Sequence, residues 1–204
     1  YHAHASQADT VLSDADAGIG TLMARLAGLG HRRIGFAMNR RTERYWAQQR
    51  FAAYMAAVAR LDLPFDPAWV TNFLPSAPAE DVAARAVEQT RLGVTAWVCA
   101  NDTIAVDVCR AQRDAGFSIP GDVSVVGYDA GTRTIEGVPE LTSVVTPWEE
   151  MGAQAVRLLD SRLASPARLS QARALYPPIR EGGTIGPPAA EIGRASCRER
   201  VCVG

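Results

Sequence analysis

Three polar residues, Asn101, Asp102 and Asp129, stand where predicted strands end. Asn101 and Asp102 follow the apolar run Ala96–Cys99, and Asp129 follows the run Val123–Val126. Open α/β sheets hold small molecules in the crevice beyond the carboxyl ends of their strands, so Asn101 and Asp129 are candidates for hydrogen bonding to a ligand. A turn at the end of a loop explains the same two residues equally well. We expect Asp102 to be the N-cap of the helix that follows, because aspartate is a favoured residue there.

These residues belong to a strand–helix–strand unit. Ala96–Cys99 is too short for an independent helix, which predicts a strand buried on both faces of a parallel sheet. The helix that follows is indicated by apolar residues at helical spacing, Ile104, Ala105, Val108 and Ala111. Gly116 ends it, since glycine takes the left-handed C-cap conformation without steric cost. Val123–Val126 predicts a second buried strand, reached by a right-handed crossover.

The composition fits one substantial core or two small lobes. The chain has 204 residues, 48% of them hydrophobic, and no apolar run approaches the length of a transmembrane helix. The net charge of −1 offers no electrostatic footprint for nucleic acid, so we expect that this chain does not hold DNA by itself. Cys99 and Cys109 fall in a predicted strand and helix, which favours small buried thiols in a reducing, cytoplasmic compartment.

Several strings of the sequence resemble the LacI/GalR family of bacterial transcriptional regulators. They are Ala100-Asn101-Asp102, IPGDVSVVGYD at 119–129, GHRRIGF at 30–36 and LTSVVTPWEEMG at 141–152. The matching part of the family is its effector-binding core, which is similar to type I periplasmic sugar-binding proteins. The resemblance covers roughly residues 11–185, with the strings in the family's order.

The resemblance implies an α/β fold, a twisted parallel sheet flanked by helices, truncated so that most of the chain is the C-terminal subdomain. Apolar runs predict five strands, near residues 34, 69, 96, 123 and 142, the second of them over Trp69–Leu74. The helix Met151–Leu163 would belong to the N-terminal subdomain. A lone piece of that lobe buries little surface, so we expect this helix to pack opportunistically or to stay mobile.

The resemblance also implies how the chain is divided. Residues 1–12 would be a remnant of the N-terminal subdomain, 13–145 the C-terminal subdomain, 146–166 a helix returning to the first lobe, and 167–186 the end of the second. Residues 187–204 are expected to be disordered. Within them, EIGRASCRERVC at 191–202 resembles the translation of a sequencing adapter, so we exclude that string from the fold. The chain is expected to be a fragment cut at both ends, with no secretory signal visible.

Arg50 is a further site candidate. The string RFAAY at 50–54 fits the family pattern of an arginine followed by a small residue and an aromatic, with Ala53 in place of the usual glycine. The resemblance implies that Arg50 makes bidentate hydrogen bonds to the effector, since a guanidinium group suits vicinal hydroxyls or a carboxylate. An arginine on a solvated helix face is the alternative. Arg44 is a weaker candidate of the same kind.

Two aromatic residues complete the predicted site by resemblance. Phe73 falls where family members place an aromatic that packs on the ligand, although a core role is as well supported. Trp148 would lie at the crossover between lobes, where it could stack on the C–H face of a sugar. We expect Arg50, Asn101 and Asp129 to converge on one rim of one sheet.

The function implied is that of a transcription regulator, often a repressor, whose small-molecule effector is sugar-like. By resemblance it acts as a homodimer, with a face that includes the helix from Thr103 and the loop Thr132–Pro139, which makes Val106 and Cys109 interface candidates. Operator DNA would be bound only through an N-terminal head that is missing here. No cofactor, metal, membrane or catalytic role is indicated. The alternative is a periplasmic sugar-binding protein of a transport system.

Overall fold

Helices and strands alternate along most of the chain. The computed structural model describes residues 8–39, 45–72, 81–131 and 136–189. The α-helices of these ranges are α1 Ala15–Gly28, α2 Tyr45–Arg60, α3 Val82–Arg91, α4 Asp102–Asp114 and α5 Trp148–Ala164. The strands are β1 Thr10–Ser13, β2 Ile34–Ala37, β3 Ala96–Cys99, β4 Ser124–Tyr128, β5 Thr142–Val144, β6 Ala172–Leu175 and β7 Ile179–Arg180.

The larger sheet has five strands in the order β2-β3-β4-β5-β7. The first four run parallel, and every residue of β2 to β5 is buried. This confirms the predicted parallel sheet and the four strands near residues 34, 96, 123 and 142. The edge strand β7 runs antiparallel to β5. Because β2 to β5 are parallel, Ala37, Cys99 and Tyr128 end their strands on the same edge of the sheet.

The strand predicted over Trp69–Leu74 is wrong in its described part. Residues Pro67–Trp69 form a 3₁₀ turn, and Asp66 caps it by accepting a hydrogen bond from the Ala68 amide at 2.8 Å. Only Val70 pairs with the sheet, through a single bridge to Phe36. Proline at the start of a turn and a capping aspartate before it favour helical rather than extended backbone. Residues 73 and 74 lie outside the described ranges.

A smaller sheet pairs two strands that are far apart in the sequence. Strands β1 and β6 are parallel, with Thr10 opposite Ala172, and α5 packs beside β1. Asp9 joins these pieces by ion pairs with Arg162 and Arg168, at 3.1 and 2.7 Å. Strand β6 pairs with β1, and β7 joins the larger sheet. The division of the chain into subdomains stays a prediction. Mobility of α5 stays a prediction.

Aromatic residues fill the core around β2 and β3. Trp97 is fully buried, and its Nε1 donates to Thr90 Oγ1 over 2.9 Å. Its ring lies over Gly35, where an added Cβ atom would come within 2.5 Å of the indole. Glycine is therefore needed at this strand position because the indole occupies the space of a side chain.

Cys99 and Cys109 are buried free thiols, as predicted. Burial raises the pKa of both, that of Cys109 to about 12. Among the described residues, no helix has the length and apolar character needed to cross a membrane.

Candidate functional site

Arg50 and Asp129 form a bidentate ion pair at the carboxyl edge of the larger sheet. Nη1 and Nη2 of Arg50 donate to Oδ2 and Oδ1 of Asp129 over 3.0 and 2.6 Å. Nη1 also donates to the carbonyl oxygen of Ala100, just after β3, over 2.7 Å. The Arg50 side chain is 8% exposed and that of Asp129 34%. The pair is therefore buried on its arginine side and open on its carboxylate side.

Two aromatic rings lie against the Arg50 guanidinium. Its Cζ atom is 3.6 Å from the ring centre of Tyr128 and 4.6 Å from that of Trp46. Both distances are within the range of cation–π attraction. The Tyr128 hydroxyl is 2.9 Å from Ser13 Oγ, and burial raises the pKa of the phenol. The arginine is thus held by flat apolar faces as well as by hydrogen bonds.

The Asp129 carboxylate is oriented from several sides. Thr146 Oγ1 donates to Oδ1 over 2.9 Å, and the Asp129 amide donates to the Val144 carbonyl oxygen over 2.9 Å. Two protein donors therefore converge on Oδ1, one from Arg50 and one from Thr146. A carboxylate has about four lone-pair sites and three of them accept from Arg50 and Thr146, so about one site, on Oδ2, is left to accept a hydrogen bond from a ligand.

The predicted helix cap is wrong, because Asn101 rather than Asp102 caps α4. Asn101 Oδ1 accepts a hydrogen bond from the Ile104 amide at 2.9 Å, and Asp102 is already the first helical residue. Asn101 follows Ala100, so it stands at the same rim as the Arg50–Asp129 pair. Arg50 and Asp129 meet at this rim, while the convergence of the Asn101 side chain with them and the contacts of all three to an effector stay predictions.

Asp102 is buried beside the strands instead. Its Oδ1 accepts a hydrogen bond from Ser143 Oγ at 2.6 Å, and its Oδ2 is 3.6 Å from Arg180 Nη2. A Cβ atom at Gly127 would lie 2.1 Å from Oδ1, so the carboxylate occupies space that only a glycine leaves free. Burial raises the pKa of Asp102, and the hydrogen bond from Ser143 opposes that shift.

Of the other predicted site residues, Trp148 lies within the described ranges. Trp148 is the first residue of α5 and is 65% exposed, so its side chain stands in solvent two residues beyond Thr146. Arg44 and Phe73 lie outside the described residues. Stacking of Trp148 on a ligand stays a prediction.

Sequence reasoning missed three residues that contact the pair: Trp46, Tyr128 and Thr146. Tyr128 stands immediately before Asp129 at a strand end, which was a usable signal. Trp46 is the second residue of α2 and stands one helical turn before Arg50. That spacing puts both side chains on one helix face.

The interface roles predicted for Val106 and Cys109 are wrong for the chain as it stands. Val106 is 1% exposed and Cys109 is fully buried. Both lie on faces of α4 that the chain already covers, so they are core residues. Residues 132–135 of the predicted dimer loop lie outside the described ranges. In the ranges described, no group of three His, Cys, Asp or Glu side chains could hold a metal ion.

Comparison with known proteins agrees with this architecture. A periplasmic binding protein-like domain matches residues 23–185 of the chain. An HTH-type transcriptional regulator in the aml 5′ region of Streptomyces limosus is 36% identical, over 68% of this chain and 40% of that protein. The ribose operon repressor of Haemophilus influenzae is 29% identical, over 78% of this chain and 48% of that protein.

A solved structure shows the same fold. The complex of the transcriptional regulator CelR with cellobiose superposes with a TM-score of 0.71 and 26% identity, covering 88% of this chain and 54% of that one. The chain thus spans about half the length of these relatives. It belongs to the LacI/GalR family of transcriptional regulators, as part of their periplasmic-binding-protein-like core.

Proposed function

We propose that this chain is the effector-binding core of a transcription regulator and that its effector is a neutral, sugar-like molecule. The observation that carries the proposal is the Arg50–Asp129 pair, at the carboxyl edge of the sheet and open on its carboxylate side. Ligands of open α/β sheets bind at that edge. The core would be non-catalytic, and the relatives described above are named as regulators.

The charge of the pair supports a neutral effector. Asp129 already occupies both terminal nitrogens of Arg50, so the guanidinium charge is matched before any ligand arrives. A carboxylate ligand would have to displace Asp129 or bind beside it, and like charges in a partly buried site repel. A hydroxyl group can instead donate to the lone-pair site that is left on Oδ2 of Asp129. Of the two ligand chemistries open to Arg50, the geometry therefore favours hydroxyl groups over a carboxylate.

The aromatic faces support the same class of ligand. Tyr128 is buried under the guanidinium, whereas Trp46 is half-buried beside the pair, and an apolar ring face near a carboxylate suits a molecule with C–H faces and hydroxyl edges. A purine would also stack on such a ring. The two named relatives with carbohydrate in their titles, the ribose operon repressor and the CelR–cellobiose complex, favour the sugar.

The intact regulator would act as a cytoplasmic homodimer that binds operator DNA through a head outside this chain. An effector held between two lobes shifts their equilibrium only by binding one arrangement more tightly than the other. In this proposal β1, β6 and α5 belong to the lobe that other residues of the protein complete. The periplasmic transport alternative has no specific observation in its favour.

Calorimetry on the longest natural protein that contains this chain tests the proposal. Cellobiose, ribose and a panel of nucleobases are titrated into the wild type and into Asp129→Asn, which keeps the side-chain shape but removes the charge. We expect a sugar to bind, and Asp129→Asn to weaken it about 10- to 100-fold, because hydrogen bonds to a charged group are the strong ones. Asp129→Ala should abolish binding.

The matched control is Asp107→Asn, an exposed aspartate on α4 away from the pair. It should bind the sugar like the wild type. If a nucleobase binds and no sugar does, the effector would be a nucleobase rather than a sugar, and the location of the site would be unchanged. Sugar binding that survives Asp129→Asn and Asp129→Ala unchanged would show that the site lies elsewhere.

A further inference from the structure

The turn that follows β4 is strained. Asp129 has a φ angle of +90° and Ala130 of +49°, two consecutive residues in the left-handed region that glycine favours. Neither residue is glycine, and such conformations persist only where the surroundings enforce them. The strain falls on the residue whose carboxylate pairs with Arg50, so what enforces it bears on the site.

Two side chains hold the backbone of this turn. Arg180, on the edge strand β7, donates from Nη1 to the Ala130 carbonyl oxygen over 2.9 Å and from Nη2 to the Gly131 carbonyl oxygen over 3.1 Å. Ser143, on β5, accepts a hydrogen bond from the Ala130 amide at 3.2 Å. Successive peptide groups of the turn are thereby fixed from two neighbouring strands.

Asp102 links the two holding groups. Its Oδ1 accepts from Ser143 Oγ, and its Oδ2 faces the Arg180 guanidinium at 3.6 Å. Because Ser143 donates its proton to Asp102, its oxygen is left to accept from the Ala130 amide. The carboxylate is 6% exposed and reaches the strands only because Gly127 has no side chain.

We propose that Asp102, Ser143 and Arg180 form a clamp that holds the left-handed turn at Asp129–Ala130 and so aims the Asp129 carboxylate at Arg50. They are positioning residues, since none of them contacts the pair. The inference rests on the proposed function in one respect: the role of the turn is to present Asp129 to an effector. The clamp itself is a statement about backbone conformation and can be tested without a ligand.

Amide hydrogen exchange on this chain is the test. The amides of Asp129 and Ala130 are protected by the Val144 carbonyl oxygen and by Ser143 Oγ. Arg180→Ala should raise exchange at 129–131 by about tenfold or more, corrected for intrinsic rates, with β3 unchanged. Ser143→Ala should do the same at Ala130. The exchange result does not depend on whether the protein binds a sugar.

Rescue distinguishes a clamp from general support of the sheet. Ala130→Gly removes the penalty of the left-handed conformation at that position, so it should return much of the lost protection at Asp129 in the Arg180→Ala background. The matched control is Arg25→Ala, which removes an exposed arginine paired with Glu181, the neighbour of Arg180. It should leave the turn unchanged.

Three results would overturn the clamp. One is unchanged protection at 129–131 in Arg180→Ala and Ser143→Ala. Another is an equal increase across β3 and β4, which would make Arg180 a support of the whole sheet. The third is failure of Ala130→Gly to restore protection. If Arg180→Ala does not fold, Ser143→Ala with and without Ala130→Gly decides the question alone.

Discussion

The strands of the two sheets differ in how deeply they are buried. Every residue of β2, β3, β4 and β5 is buried, whereas β1 is half-buried throughout and three of the four residues of β6 are exposed. The helices follow their sheets, since α4 buries seven residues and α5 buries only Leu158. The larger sheet and its helices bury their apolar residues against one another, whereas the smaller sheet and α5 leave much of their apolar surface exposed to solvent.

The exposed large hydrophobic residues are also concentrated in the region of the smaller sheet and α5. Six of the nine large hydrophobic side chains that are exposed in the described residues fall between 148 and 176. Four of them form one stripe along α5: Trp148, Val156, Leu159 and Leu163. Surface helices normally turn such a stripe to a core. The sequence of α5 is therefore typical of a helix with a buried apolar face, and the described residues do not cover that face.

The largest expected difference between the regions is in the cost of removing a side chain. Trp97→Ala should lower the free energy of unfolding by about 3–5 kcal/mol, because it empties a filled core and removes one of the hydrogen bonds that the Thr90 hydroxyl accepts. Leu163→Ala, on the exposed stripe, should change it by less than about 0.5 kcal/mol. Urea denaturation of both variants measures the two values.

Trp97→Phe refines this experiment. It keeps an aromatic ring and removes the N–H donor to Thr90, so its cost should fall between the other two. Equal losses for Trp97→Ala and Leu163→Ala would mean that the smaller layer is as tightly packed as the larger sheet, and the comparison would be wrong.

The larger sheet was predictable because its local signals and its packing agree. Short apolar runs bounded by glycine, proline or polar residues indicated β2 to β5, and periodicity indicated the helices between them. The rim position of Asp129 followed from the same reasoning, since parallel strands end on one edge, whereas the site role of Arg50 was implied by the family resemblance. None of this required knowledge of contacts distant in sequence.

What escaped prediction depends on distant contacts. Asn101 and Asp102 are both good caps, and the choice between them is made by Ser143, which binds Asp102 from a strand 41 residues further on. Strand β7 has two residues, too few for a periodic signal, and β1 finds its partner at residues 172–175. Propensity cannot resolve alternatives that only tertiary partners separate.

Acid should weaken the larger sheet first, through His31. This buried ring sits at the amino end of the sheet, with Nδ1 2.8 Å from Thr95 Oγ1 and Nε2 2.8 Å from the Gly186 carbonyl oxygen. The carbonyl requires a proton on Nε2, so Nδ1 accepts from Thr95. Burial lowers the pKa of His31 from its usual 6.5.

The sign of the effect follows from the direction of that shift. Below pH 6.5 the unfolded chain binds a proton at His31 and the folded chain does not. The free energy of unfolding therefore falls as the pH drops from 6.5 toward the pKa of the folded state. Unfolding of the wild type and of His31→Gln at pH 7.5, 6.0 and 5.0 should show this loss only in the wild type. Parallel pH profiles for the two proteins would remove His31 from the explanation.

The smallest expected effect is in the smaller sheet, at Asp9. The hydrogen bond from Arg162 lowers the pKa of its carboxyl from 3.8 to about 2, and Asp9 also accepts from Arg168 and from the Gln171 amide. A lowered carboxyl pKa stabilises above pH 3.8, and that contribution is lost as the pH falls toward 2. At pH 5, Asp9→Asn should speed amide exchange in β1 and β6 and leave the larger sheet unchanged, while near pH 2 variant and wild type should coincide.

Asp160→Asn, an exposed aspartate on α5, is the control and should match the wild type at both pH values. If Asp9→Asn instead lowered protection in β3 and β4, the two sheets would unfold as one unit, and the burial difference between them would not divide the chain energetically.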